Sequence, residues 1–318
     1  MTEPILSIRG LSAGYGGRRA IADISFSLSP GEILCLVGES GCGKSTLLKA
    51  LMGTTPGLRI LSGSVTLEGQ ELLTLPERER QRLCCEKMGL VFQSPGSAFN
   101  PIRSYKKQFL ETMKSQGKYR RETFSAQVEA AFAKLGLRDW ERILASCPYE
   151  MSGGMNQRIA LALALLTEQD ILLADEPTSA LDATIQLQVA KELRRLRDVS
   201  GMAQIIVTHN LALAEYLADR IGVMYAGRLV ELGTPEQVLK RPAHAYTRCL
   251  RSAIPSLRGG MPLGLPGQPP LDGPADAGCE FYDRCPYKNA ACAGAVYAPA
   301  DLGGGHMCSC VPAKEAVQ

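Results

Sequence analysis

A chain of 318 residues has room for one large domain with an appendage, or for two domains. Its 45% apolar and 21% charged content is ordinary for a globular protein in water, and a net charge of +3 gives no large field to draw in nucleic acid or anionic lipid. The opening MTEPILSIRG lacks the charged lead and apolar core of a signal peptide, and the longest apolar run, IALALALL at 159–166, falls short of the ~20 residues that span a bilayer.

The N-terminal part predicts short strands. ILSIRGLSAGYGG alternates and then turns at glycines; ADISFSLSPGEILCLVG alternates, turns at Pro30-Gly31 and enters an apolar strand over 33–37. The next stretch, GESGCGKST at 38–46, fits G-x-x-x-x-G-K-[ST] through Gly38, Gly43, Lys44 and Ser45, and it opens the helical STLLKALMG. Glycines let the backbone wrap around phosphates with its N–H groups inward, and the helix N-terminus adds positive partial charge. Gly38, Glu39, Ser40, Gly41, Cys42, Gly43, Lys44, Ser45 and Thr46 are therefore expected to cradle a nucleotide. Lys44 would reach the β- and γ-phosphates and the Ser45 hydroxyl would bind Mg²⁺.

Residues 60–73, ILSGSVTLEGQELL, predict strand, turn and strand. From about 76 to 145 the pattern turns helical, as in FSAQVEAAFAKLGL, where Val128, Ala131, Phe132 and Leu135 share a face. MSGGMNQR at 151–158 sets Ser152, Gly153 and Gly154 before an Ala/Leu-rich helix, a second phosphate cradle at a helix N-terminus. Two cradles far apart in one chain cannot share a γ-phosphate, whereas in a dimer each chain can offer its cradle to the other's nucleotide.

DILLADEP predicts a buried strand ending in Asp175 and Glu176. Adjacent carboxylates repel unless a cation shares the site. After a phosphate loop, Asp175 is the expected Mg²⁺ partner, and Glu176 is placed to polarise the attacking water. A helix follows with Ile185, Val189, Leu193 and Leu196 on one face and Gly201 as its stop. Then come the strand AQIIVTH, the helix NLALAEYLADR, and the hairpin IGVMYAGRLVELG turning at Ala226-Gly227. The alternation predicts a largely parallel sheet covered by helices. Residues 259–278 are more than half glycine and proline, which allows neither a helix nor a central strand.

Of the eleven cysteines, Cys35, Cys42, Cys84, Cys85, Cys147 and Cys249 are scattered, and five crowd the C-terminus. Without an export signal the compartment is expected to be reducing, so a metal reading is preferred to disulfides. Cys279, Cys285, Cys292 and Cys308 could hold zinc or an iron–sulfur cluster, with Cys310 the spare or the rival for the fourth place.

These motifs resemble the ATP-binding-cassette family over about residues 4 to 255, in family order. GESGCGKST is similar to its Walker A loop, ILLADEP to Walker B, and MSGGMNQR to its signature, with Met151 where leucine is usual. The resemblance implies further roles: Tyr15 stacking on adenine, Gln93 in VFQSP touching Mg²⁺ and water and sensing the permease, Asp182 in the SALD loop, and His209 in VTHN contacting the γ-phosphate. It implies an α/β fold, a P-loop NTPase cassette with a RecA-like core, an antiparallel β subdomain and a helical subdomain at about 95–155. The expected organisation is a cassette over 1–255, a Gly/Pro linker over 256–278 and a Cys-rich C-terminal extension over 279–318.

NPIRSYKKQ and RPAHAYTRCLRSAIPSL resemble the ATPases of dipeptide, oligopeptide and nickel importers, the second through His244, Tyr246, Thr247, Arg248, Leu250, Ala253, Ile254 and Pro255. SAFNP and PYEMSGGM lean toward the nickel and metallophore branch. FYDRCPY resembles the C-terminal extension in which such cysteines can hold a [4Fe-4S] cluster. The implied protein is an ATPase with ATP and Mg²⁺, peripheral on the cytoplasmic face of the inner membrane. Its implied partners are two permease subunits, a sister ATPase or a second copy, and an extracytoplasmic solute-binding protein, with no nucleic acid. The alternative is a soluble cassette ATPase that regulates another process.

Overall fold

The strands in chain order are β1 (Leu6–Tyr15), β2 (Arg18–Leu28), β3 (Ile33–Val37), β4 (Leu58–Leu67), β5 (Gln70–Glu71), β6 (Met88–Val91), β7 (Ile171–Asp175), β8 (Ala203–Val207), β9 (Arg220–Tyr225), β10 (Arg228–Gly233), β11 (Ala300–Asp301) and β12 (Met307–Cys308). The computed structural model describes residues 3–53, 55–91, 99–178, 183–253, 264–265, 267–270, 273–275, 278–310 and 313, without the side chains of 183–185. Gln93 and Asp182, both expected at the nucleotide site, lie outside the described residues, as does Ile254-Pro255. Two units make up the chain: residues 1–29, 33–75 and 209–318 form the first, and residues 30–32 and 76–208 the second.

In the first unit, alternation produces an antiparallel sheet in the order β2-β1-β4-β5. Leu6 faces Leu28 and Ile8 faces Phe26 across β1 and β2, so the apolar residues of both strands share the buried face. The turn from β4 to β5 is Glu68-Gly69, both at positive φ. β3 is buried at all five positions and pairs in parallel with β9. A strand buried on both faces reads as an unbroken apolar run, and ILCLV is one. β9 and β10 form the expected hairpin, with Ala226 and Gly227 at positive φ, the backbone of a two-residue turn.

The C-terminal segment continues this unit. β12 pairs antiparallel with β10 through Glu231↔Cys308 and Leu232↔Met307, and β11 pairs with β12. Arg228 on β10 makes a buried ion pair with Glu280 and donates to the Ala275 carbonyl at 2.9 Å. The buried Glu231 carboxylate accepts from the Ala243 and His244 N–H groups at 2.8 and 3.0 Å and bonds His306 Nε2 at 2.7 Å. Phe281 packs edge-on to Tyr225 and Tyr246. Inside the Gly/Pro stretch, Pro274 lies against Gly227, where an added Cβ would meet its Cδ at 2.9 Å.

In the second unit β6, β7 and β8 run parallel, in register Met88↔Ile171 and Ile171↔Ala203. Within the stretch 76–145, read as helical segments, β6 is a strand that the sequence reading did not predict. Met88–Val91 is too short for any periodicity, and its identity as a strand comes from pairing with β7. Helices Glu77–Lys87, Tyr105–Ser115, Phe124–Lys134, Trp140–Ala145, Gly153–Leu166 and Ala183–Ser200 complete the unit. Val128, Ala131, Phe132 and Leu135 are buried, as the helical face predicts. So are Val189, Leu193 and Leu196, and Gly201 ends their helix by donating to the Arg197 carbonyl at 2.8 Å. Phe99, Tyr105, Phe109 and Phe132 stack edge to face in series, with centroids 5.2 to 6.5 Å apart.

Candidate functional site

The phosphate loop sits where β3 hands over to the helix Lys44–Met52. Its backbone admits only glycine at two points. Gly38, at φ +151°, would put a Cβ 2.1 Å from the Met224 carbonyl, and Gly43, at φ +101°, would put one 2.7 Å from Ile21 Cγ2. The loop is thus pressed onto β9 and β2 of its own unit, and its curvature is set before any ligand arrives. Gly41, by contrast, faces open space.

Lys44 is buried at 5% exposure. Its Nζ donates to the Gly38 and Glu39 carbonyls at 2.8 Å each and approaches Cys42 Sγ at 3.5 Å. Backbone dipoles therefore solvate this cation. A buried cation at a helix N-terminus, inside a loop curved by glycines, fits a phosphate chain. Burial pushes the Cys42 thiol up despite Lys44 beside it, so Cys42 is packing here. Ser45 and Thr46, half-buried, open the helix, while Ser40 and Gly41 are exposed. Tyr15 ends β1 at 38% exposure, an aromatic face open to a ligand. His209 is exposed in the bend before helix Leu211–Leu217, whose N-cap is Asn210.

In the second unit, β7 delivers Asp175 and Glu176 half-buried at its C-terminal end. Glu176 has φ +45°, a left-handed conformation costly for a residue with a Cβ. The bond from its N–H to the Val207 carbonyl, 2.9 Å, holds it there. The conformation marks the bend where β7 ends.

The signature is built by capping. Ser152 is the N-cap of helix Gly153–Leu166, its Oγ accepting from the Met155 N–H at 3.3 Å, with Ser152 and Gly153 exposed. Behind them Asn156 is buried, donating to the Pro148 and Met151 carbonyls at 3.1 and 3.3 Å and accepting from the Tyr105 hydroxyl. Asn156 and Tyr105, whose positioning role sequence reasoning missed, fix the cap's approach. The only signal for them was a polar residue on an otherwise apolar helix face.

The acceptor set expected for Mg²⁺ is of hard oxygens, Ser45 and Asp175 with Gln93, which suits that ion. The cysteines gather differently from their spacing. Cys279, Cys285, Cys292 and Cys310 line one cavity of about 280 Å³ with Phe281 and Tyr287. Cys308 is fully buried in one cluster with Cys310 and Ala313, and its Sγ accepts from the Cys310 N–H at 3.4 Å. Cys310, the rival for the fourth place, lines this cavity with the other three thiols. Among the described residues no group of three or more His, Cys, Asp or Glu is arranged to hold one metal ion. That geometry does not suit a single tetrahedral zinc with Zn–S near 2.3 Å. The cavity far exceeds the ~30 Å³ of one water molecule, room for a larger inorganic group. Burial pushes the Cys279 thiol up to about 11 and raises Cys285 as well.

Comparison with known proteins follows these lines. A family model described as ABC transporter matches residues 21–179, and one described as Oligopeptide/dipeptide transporter, C-terminal region, matches 230–292. The dipeptide transport ATP-binding protein DppD of Bacillus subtilis is 34% identical, over 91% of this chain and 89% of that protein. The oligopeptide transport ATP-binding protein OppD of Escherichia coli is 36% identical, over 92% and 89%. Among solved structures, cbiO1 of Clostridium perfringens, part of the ABC transporter complex cbiONQ, superposes with TM-score 0.66 at 25% identity, covering 75% of this chain and 92% of its own. The cassette MJ0796, a dimer bound to ADP and Pi, has TM-score 0.63 at 24% identity over 72% and 98%, a likeness of fold.

Proposed function

The chain belongs to the ABC transporter family as an ATP-hydrolysing subunit of an importer, and from that premise we propose that the cargo it drives is a peptide. The match of residues 230–292 to the oligopeptide and dipeptide C-terminal region carries the reading, because that segment lies outside the nucleotide motifs common to cassettes. The relatives named above transport dipeptides and oligopeptides, which favours peptide over nickel or a metallophore. An importer ATPase works with permease partners and a second cassette. Among the described residues no helix is long and apolar enough to cross a membrane, in keeping with a peripheral subunit. A place on the cytoplasmic face of the inner membrane, a sister ATPase or a second copy, and a solute-binding protein complete the proposal.

Each site residue has a proposed task. The 38–46 backbone and Lys44 bind the phosphates, Tyr15 stacks on adenine, and Ser45, Asp175 and Gln93 hold Mg²⁺. The ion supplies charge neutralisation on the phosphate oxygens. Glu176 takes a proton from the attacking water and His209 hydrogen-bonds the γ-phosphate. Ser152, Gly153 and Gly154, with Asp182, serve the nucleotide of the facing cassette. For the cysteine-rich segment the proposal is a [4Fe-4S] cluster on Cys279, Cys285 and Cys292 with Cys308, or its rival Cys310, as the fourth ligand; the cavity that Cys279, Cys285, Cys292 and Cys310 line supports it. Iron and sulfide analysis of anaerobically purified protein tests it.

The transport reading is tested in proteoliposomes holding the chain, its permeases and the binding protein. ATP-dependent uptake of a labelled di- or tetrapeptide is expected. Uptake of a nickel chelate with none of peptide would overturn it.

A further inference from the structure

One residue of the cysteine-rich segment reaches the phosphate loop. Arg284 follows Asp283 and precedes Cys285, yet its guanidinium forms a two-pronged bridge with Glu39, 245 residues away, Nη1 to Oε2 at 2.7 Å and Nη2 to Oε1 at 3.0 Å. Glu39 is the second residue of GESGCGKST. The bridge is sheltered, with Arg284 at 6% side-chain exposure and Glu39 at 22%. Nη1 also donates to the Tyr225 hydroxyl at 3.1 Å, and the guanidinium lies 5.7 Å from the Tyr225 ring centroid and 5.8 Å from that of Phe281. A second tyrosine holds the same loop residue through its backbone, the Tyr246 hydroxyl accepting from the Glu39 N–H at 2.9 Å.

The placement of Glu39 poses an electrostatic problem. A carboxylate at the entrance of a loop built for phosphates repels its own ligand, and at close range in a partly buried setting solvent screens this weakly. A planar bidentate cation is the group that cancels a carboxylate while fixing its orientation. The Glu39 carbonyl is also one of the two oxygens on which Lys44 rests, so whatever fixes Glu39 fixes the resting place of the phosphate-binding lysine.

We propose that Arg284 is a positioning residue of the nucleotide site: from the cysteine-rich segment it neutralises and orients Glu39, and so sets the loop's affinity for nucleotide. The inference rests on the reading of residues 38–46 as the ATP site. It makes the segment of Cys285 part of that site's second layer, so a change that displaces residues 281–285 is felt as a change in nucleotide affinity, and nucleotide is felt by that segment in equal measure.

The test measures binding of trinitrophenyl-ATP and its displacement by ATP on the full-length protein, with thermal melting alongside. Arg284→Ala is expected to weaken nucleotide binding by about tenfold, within the usual range of coupling between sites. Arg284→Lys, which keeps the charge and loses the fork, is expected to fall between. The decisive variant is Arg284→Ala combined with Glu39→Gln: removing the orphaned carboxylate is expected to recover most of the lost affinity without recovering the melting temperature. A purely structural role for Arg284 predicts no such recovery, and a double variant as weak as Arg284→Ala would overturn the proposal. So would Arg284→Ala or Arg284→Lys binding nucleotide as the wild type does. If Arg284→Ala fails to fold, Arg284→Lys and the double variant still decide. Failure of the wild-type protein itself to bind ATP would instead overturn the assignment of the nucleotide site.

Discussion

His244 shows how one buried side chain sets a pH dependence. Its ring is 2% exposed, and Nδ1 accepts from the Tyr246 N–H at 3.1 Å, capping helix Ala245–Ser252. Burial pulls its pKa from 6.5 down to about 4; the Glu231 carboxylate opposes the shift, and Arg248 adds to it. The folded state therefore resists protonation that the unfolded chain accepts. The stabilisation is complete above the unfolded value of 6.5 and is lost as pH falls from there through about 4. At its limit it amounts to about 3 kcal/mol. Chemical denaturation at pH 7 and pH 4.5 is expected to show a larger loss for wild type than for His244→Asn, which keeps an N-cap acceptor without a titrating ring. Equal losses would assign the acid sensitivity to other groups. Sequence alone pointed to His244 through a resemblance; that it is neutral and caps a helix came from its burial.

At the scale of elements, the short strand β12 fixes the backbone that carries Cys308. Period-two alternation sends Cys308 and Cys310 to the same side of an ideal strand, so spacing cannot separate them. β12 ends at Cys308, and the Ser309 N–H still donates to the Val230 carbonyl at 3.0 Å, carrying the pairing with β10 one residue further. Cys308 and Cys310 pack in one buried cluster, and Cys310 lines the cavity of Cys279, Cys285 and Cys292. Cys310→Ser is accordingly expected to lose the iron and sulfide of the anaerobically purified protein and its visible absorbance, whereas Cys308→Ser keeps them. The reverse result would restore Cys308 as fourth ligand, and metal-free wild-type protein would remove the cluster. The same ladder, with the Arg228–Glu280 ion pair and the Glu231–His306 hydrogen bond, ties the tail down; breaking one partner of a buried pair such as Arg228–Glu280 costs ~3–5 kcal/mol.

For the molecule as a whole, the residues assigned to ATP are divided. Lys44, Ser45, Tyr15 and His209 belong to one unit, and Asp175, Glu176 and Ser152–Gly154 to the other. The two phosphate cradles sit at separate helix N-termini, the arrangement expected if each chain serves a nucleotide held by a facing cassette. Glu176→Gln is expected to keep ATP binding, lower turnover by about a hundredfold or more, and accumulate an ATP-bound dimer on size exclusion. Dimers formed by this chain alone would favour self-pairing, and dimers only with a sister ATPase would favour a heterodimer. Hydrolysis at the normal rate would remove Glu176 from the role of base.

Local chemistry made much of this protein legible from its residues. Glycines that no Cβ could replace announced the phosphate loop, an unbroken apolar run announced β3, and a Ser-Gly-Gly before an apolar helix announced a second capped N-terminus. These are short-range constraints, written within a few residues of where they act. What only the tertiary structure decided depends on contacts between distant segments. β6 is a strand because β7 lies beside it, Cys308 is held by a ladder to β10, and Arg284 meets Glu39 across 245 residues. No local pattern encodes such pairings, because the energy that selects them comes from burying an ion pair or completing a sheet only once the whole unit has closed.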